Sequence, residues 1–389
     1  MDLIKEELAA DGKLSGVEAE GYRPYPFDAN KISIQRKILP LNTLVRRLEN
    51  NMLVAAEMQR GIVWDKGRKS RLIESILLKI PLPLFYAAAD KNDVFYIVDG
   101  LQRVNTIREF VLEKSLALSG LEFLRELKGK TYNELSTDLQ IRIEETELQF
   151  AVIQPDSPPE VQRNIFKRLN TGGLPLSDQE IRHALYYGHV SGYLKQFAMS
   201  QEFQKATTES INDSRMAAQE LALRFIAFTV MGKESYRKDE EMDSFLCDAM
   251  QIVNALSIES PLRIEKRFIQ IDDLDEIKHR FLLSMRRAEQ LFKRCAFRMA
   301  IQSRNPPWRP PINKSLFEVW SVILSTMAES NFQILLDRRD LLDDRLEEIY
   351  DATHPFRKYC GTDSTKVSGI RGRYMEINEM IQSILESCK

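Results

Sequence analysis

The stretch from Val94 to Leu112 limits the chain's folding options more than any other. Val94, Tyr96 and Val98 alternate in a β-branched and aromatic run, the pattern of a buried strand. Asp99-Gly100 follows, a strong turn signal, because glycine accepts backbone angles that other residues resist. Val104, Ile107, Val111 and Leu112 then fall on one helical face, with Gln102, Arg103, Asn105 and Arg108 around them. A strand that turns straight into a helix presents free N–H groups at the positive end of the helix dipole, a place suited to phosphate. Arg103, in the first turn, can close on such an anion with a forked contact. The plainer alternative is Asp99 as the helix N-cap and Arg103 in solvent.

The elements around this stretch indicate an α+β domain. Leu41, Leu44, Val45 and Leu48 share one face of a short helix. Lys66, Arg68, Lys69 and Arg71 open a second helix with the apolar face Leu72, Ile73, Ile76, Leu77 and Ile80, stopped by Pro81 and Pro83. Residues 84–88 and 94–98 form a hairpin around Asp90-Lys91-Asn92-Asp93, and 146–153 alternates as a further strand. Ser177-Asp178-Gln179-Glu180 is a capping box opening another helix. Past residue 190 strand signals fade, and helical periods run over 215–230, 241–257, 274–302, 315–329, 331–350 and 367–387. The domains expected are a loose arm at 1–30, an α+β domain at 31–188 and an all-helical domain at 189–389.

Composition narrows the function. At a formal net charge of −2 the chain carries no global basic field, so contact with DNA must come from a local patch such as Lys66, Arg68, Lys69 and Arg71. Four scattered cysteines without a C-x-x-C pair and four histidines argue against zinc and disulfides, and fit a cytoplasmic protein. Gly129-Lys130-Thr131 lacks the upstream glycine of a P-loop, since the fifth residue before it is Leu124. The acidic run Asp272–Glu276 reads as a solvated helix start, and no metal site is expected from His183 and His189. Two loops carry ligand chemistry. Gln59-Arg60-Gly61-Ile62-Val63-Trp64 offers an amide, a forked donor and an aromatic, and Asn170-Thr171-Gly172-Gly173 offers backbone N–H groups and an amide.

These three stretches, in this order, resemble the GmrSD N-terminal family, a ParB- and sulfiredoxin-like domain. Ile97-Val98-Asp99-Gly100-Leu101-Gln102-Arg103 resembles its D-G-Q-Q-R signature. Gln59–Trp64 and Leu72-Ile73-Glu74-Ser75-Ile76-Leu77-Leu78-Lys79-Ile80-Pro81-Leu82-Pro83 are similar to its Q-R-x-x-x-W and L-I-E-S-I-L-x-x-I-P-x-P stretches. Phe166–Gly173, with Leu176 and Glu180-Ile181-Arg182, is similar to its F-x-x-x-N-x-G-G…L…E-x-R segment. The resemblance implies a small mixed sheet followed by helices, in a prokaryotic protein that restricts foreign DNA. It implies a domain that binds and hydrolyses a nucleoside triphosphate, with Mg²⁺ as a companion, and so controls a nuclease. Asp99, Gln102 and Arg103 would do the chemistry. Gln59, Arg60, Gly100, Thr106, Asn170 and Gly172 would bind the nucleotide. Leu101 stands where the signature has its first glutamine, which removes an amide and favours binding over turnover. No HNH-type pattern surrounds His354-Pro355, so cleavage would fall to a separate nuclease subunit. The rival readings are a non-enzymatic ParB-like adaptor on DNA and a nuclease in its own right.

Overall fold

The computed structural model describes residues 33–54, 64–155, 157, 165, 177–238, 240–256, 269–304, 306 and 309–387. They fall into two compact units, one ending at Tyr187 and one beginning at Gly188. The first is α+β and the second is helical, as the hydropathy pattern predicts.

The first unit is built on a five-stranded mixed sheet in the order β1-β5-β3-β4-β2, comprising β1 (Ile34–Pro40), β2 (Leu53–Val54), β3 (Phe85–Ala89), β4 (Phe95–Asp99) and β5 (Glu147–Ile153). The hairpin β3–β4 is antiparallel, β3–β5 and β2–β4 are parallel, and β1 closes one edge antiparallel to β5. One face buries Phe85, Phe95, Ile97 and Phe150 against α1 (Leu41–Glu49), α2 (Lys66–Leu77) and α3 (Leu101–Ile107). On the other face Ala88, Val98 and Ile153 pack against Ile181 and Ala184 of α5 (Asp178–Leu185). The predicted capping box opens α5: Glu180 N donates to Ser177 Oγ and Ser177 N to the Glu180 carboxylate. Between β4 and β5 lie a five-residue π-helical continuation of α3 (Arg108–Leu112), 3₁₀ turns and α4 (Thr137–Glu144). The strand β1 was not expected. Its Ile34, Arg36 and Ile38 face outward and exposed, so the strand lacks the buried alternation that marks β4 and β5.

Two buried polar side chains one turn apart on α2 fasten the loop beyond the π-helix. Ser70 Oγ accepts from Ser119 N, and the Glu74 carboxylate accepts from the N–H groups of Glu122, Phe123 and Leu124 at 2.8–3.0 Å. The motif glutamate is therefore a loop anchor. Burial pushes its carboxyl up, but the three N–H donors and nearby Arg71 outweigh burial and hold the pKa below its ordinary value of 4.5. A depressed acid contributes stability that is present above its unfolded pKa and lost as pH falls through the folded one. Thermal melts from about pH 7 down to about pH 3 should show this loss, and Glu74→Gln should remove the glutamate's part of the slope. The variant should also cost about 2 kcal/mol at neutral pH. An unchanged slope in Glu74→Gln would sink this assignment.

The second unit stacks α6 (His189–Ala198), α7 (Gln201–Thr207), α8 (Ala217–Val230), α9 (Met242–Leu256), α10 (Leu274–Phe292), α11 (Lys314–Thr326), α12 (Glu329–Asp337), α13 (Arg339–Tyr350), α14 (Pro355–Tyr359) and α15 (Val367–Glu386). An aromatic core joins Phe197, Phe203, Phe225 and Phe317 around Phe281 and its neighbours. Beside the core, Glu318 of α11 and Arg373 of α15 are both fully buried and paired, and Arg224 of α8 reaches the other Glu318 oxygen at 3.5 Å. Arg373 also donates to the carbonyls of Tyr359 and Ser364. Gly369 and Gly372 let α15 approach that turn: a Cβ at Gly369 would stand 1.9 Å from the Asp363 carbonyl oxygen. Two predicted helices are shorter than their periods suggest. The run 274–302 breaks at Lys293, where φ is +53°, and 331–350 divides at Arg338. The three described cysteines, Cys247, Cys295 and Cys360, are buried.

Candidate functional site

The site expected from the sequence lies where β4 ends and α3 begins, and a β-bulge shapes it. Ala89, Ala88 and Ala87 pair in register with Phe95, Tyr96 and Ile97, but Tyr86 pairs with Asp99. Val98 is thus an extra residue on β4. Were β4 regular, with Val98 paired and no bulge, alternation would put Asp99 on the face of Phe95 and Ile97, pointing at the larger core. With the bulge, Asp99 lies opposite Tyr86, and its side chain is half exposed.

Gly100 follows in the left-handed region at φ +99°. A side chain there would be strained, and it would meet the Phe85 ring at 2.6 Å and the Arg103 guanidinium at 3.0 Å. Glycine at the N-cap also means that no side chain caps α3. The first-turn N–H groups are left to solvent or a ligand. Asp99, offered by the sequence as a cap, instead pairs through Oδ2 with Arg103 Nη2 at 3.1 Å.

Arg103 faces inward rather than toward an open anion site. Its side chain is about one-tenth exposed, and the guanidinium lies 4.2 Å from the Phe85 ring centroid. Nη1 donates to the Pro83 carbonyl, and Nη2 to the Leu84 carbonyl and to Asp99. Arg103 therefore ties the chain entering β3 to the end of β4. In doing so it joins two motifs: the proline pair closing the α2 stretch and the signature itself. Burial lowers the Arg103 pKa while Asp99 acts to raise it.

Gln102 is the polar side chain with an unmet need. Its Oε1 is buried and has no hydrogen-bond partner among the described residues. An orphaned acceptor beside an uncapped helix start calls for a donor such as a water, a hydroxyl or an amine. Thr106 is fully buried and its hydroxyl donates to the Gln102 carbonyl, so it packs the helix and faces no ligand. Leu101 packs against the larger core.

The basic run at the start of α2 separates into two kinds of residue. Lys66, Arg68 and Arg71 are exposed, whereas Lys69 is buried with both oxygens of Glu109 at 2.7 Å. Asp65 caps the helix by accepting from Arg68 N. Gln59, Arg60, Asn170 and Gly172 lie outside the described residues. Among the described residues no group of three or more His, Cys, Asp or Glu is placed to hold a metal. The sequence reading missed the acceptors of Arg103, which are backbone carbonyls and leave no trace in residue type.

Residues 41–187 match the model of the family described as GmrSD restriction endonuclease, N-terminal domain. Over this stretch the chain is similar to the GmrSD N-terminal domain. The match ends at Tyr187, the last residue of the first compact unit, and includes the bulge, the Gly100 turn, Arg103 and the Glu74 anchor. No curated protein and no solved structure matches the chain. Among the described residues no helix is long and apolar enough to cross a membrane.

Proposed function

We propose that the chain is a component of a restriction system directed at foreign DNA, and that its GmrSD-like N-terminal domain binds a nucleoside triphosphate at the Asp99–Gly100 turn. The observation that carries this reading is the orphaned Gln102 Oε1 beside a helix start without a side-chain cap. Phosphate oxygens would accept from the N–H groups of the first turn, where the αL glycine lets a ligand approach the backbone. Gln102 Oε1 would accept from a ligand hydroxyl or from a water near the phosphates. Arg103 acts as a positioning residue, holding Gly100 and Asp99 in place through the hairpin. Asp99 fits a Mg²⁺ companion, because only its Oδ2 is engaged among the described residues and this metal is commonly held by one carboxylate plus substrate phosphates. The metal would supply charge neutralisation at the phosphates. With Leu101 in place of the first signature glutamine, one fewer amide is present to orient water, so binding without fast turnover is the expected behaviour.

The test is calorimetry with nucleoside triphosphates and Mg²⁺. Wild type should bind, and Gln102→Ala should bind roughly tenfold more weakly, the loss of about one hydrogen bond in a desolvated site. Gln102→Ala should leave the melting temperature unchanged, because Oε1 has no internal bond to lose. If wild type binds no nucleotide, the reading fails.

A second reading, a DNA-binding adaptor, is favoured by one observation. Three exposed cations, Lys66, Arg68 and Arg71, crowd the first turns of α2, which holds no acidic residue there, although the dipole disfavours cations at that end. Lys69 leaves that set because Glu109 occupies it. Gel shifts across a salt series, with and without nucleotide, separate the two readings.

A further inference from the structure

The face of the sheet that carries α5 holds a line of tyrosines leading away from Asp99. At the bulge Tyr86 pairs with Asp99, and two residues along, Ala88 pairs with Tyr96, so Tyr86 and Tyr96 are diagonal neighbours on one face. The Tyr96 ring lies 6.1 Å from that of Tyr187, which follows α5, and Tyr187 meets the His183 ring edge-on at 5.3 Å. Tyr96 is held by its hydroxyl, 3.4 Å from Asp90, and burial together with Asp90 pushes that phenol up to about 12, so it stays neutral. Tyr187 is 44% exposed, an aromatic ring left open to solvent beside half-buried Tyr96 and buried His183. From Asp99 to Tyr96 is three residues of strand, about 10 Å, the span between the phosphates of a nucleotide and its base.

We propose that Tyr96 and Tyr187 form a shelf on which the planar base of a bound nucleotide stacks while its phosphates lie at the Gly100 turn. The proposal rests on the nucleotide reading above and adds to it the part of the ligand that the turn cannot recognise. Every base has a π-face, so a tyrosine shelf gives affinity with little discrimination among bases. The phenol edges and Asp90 are the polar groups at hand for any preference.

The experiment is calorimetric titration of the full chain with ATP, GTP, CTP and UTP, and in parallel with inorganic tripolyphosphate, for wild type, Tyr187→Leu and Tyr187→Phe. Tyr187→Leu should weaken the nucleotides that bind by roughly tenfold and leave tripolyphosphate unchanged, while Tyr187→Phe should behave as wild type. Unchanged tripolyphosphate affinity also shows that the variant is folded. Equal weakening of both ligand classes, or none, overturns the shelf. If tripolyphosphate binds wild type as tightly as any nucleotide, the shelf fails and the phosphate site stands. If no probe binds wild type, both fail.

Discussion

Replacing Arg103 with alanine should destabilise the N-terminal unit by about 3 kcal/mol, a fall in melting temperature on the order of 10 °C. The change strands two carbonyls, at Pro83 and Leu84, and bares the Phe85 ring. Its partner Asp99 is half exposed and would be rehydrated at small cost, so most of the loss comes from the hairpin carbonyls. Arg103→Lys should recover only part of it, because a single ammonium cannot reproduce the fork that spans two carbonyls and a carboxylate. Nucleotide affinity of Arg103→Ala, measured well below its melting point, should fall through disorder of the Gly100 turn. A variant that keeps full stability and loses only the ligand would show that Arg103 grips phosphate directly, contrary to the positioning role.

The second large effect is expected in the helical unit. Arg373→Ala should cost about 3–5 kcal/mol, the usual result of removing one partner from a buried ion pair. Glu318 would be left fully buried with only the 3.5 Å contact to Arg224, and the Tyr359–Ser364 turn would lose its two donors. Replacing both charges, as in Arg373→Met with Glu318→Leu, should recover much of the loss, because the uncompensated charge is then gone. Urea denaturation of the two single variants and the double closes the cycle. A cost below about 1 kcal/mol for Arg373→Ala would mean that the pair is hydrated in solution.

Much of the architecture was readable before any coordinates. The alternation of residues 94–98 and 146–153, the Asp-Gly turn and the S-x-x-E box are local signals, and local signals survive in one dimension. The edge strand β1 was missed because its partner β5 lies more than a hundred residues away and its outward side chains are exposed. The break at Lys293 was missed because neither glycine nor proline marks it. At the site, the sequence indicated the turn and its polar residues but not which of them are already engaged by the fold. Arg103 and Gln102 are adjacent and both polar, and only their surroundings differ. One is saturated by carbonyls twenty residues upstream, and the other lacks a partner. Lys69 and Thr106 were drawn to the ligand side for the same reason, since residue type does not record which way a helix is rotated.

The extra residue at Val98 acts as a phase defect in an otherwise periodic strand. Up to Ile97 the hairpin keeps a strict two-residue rhythm, and beyond it the rhythm restarts half a period later. Substitutions preserve phase, whereas insertions and deletions change it. The side on which the signature aspartate stands is therefore set by the bulge rather than by the identity of Val98. Any small β-former at that position would hold Asp99 at the rim, whereas keeping the residue and straightening the bulge into regular pairing would turn the carboxylate toward the face of Phe95 and Ile97.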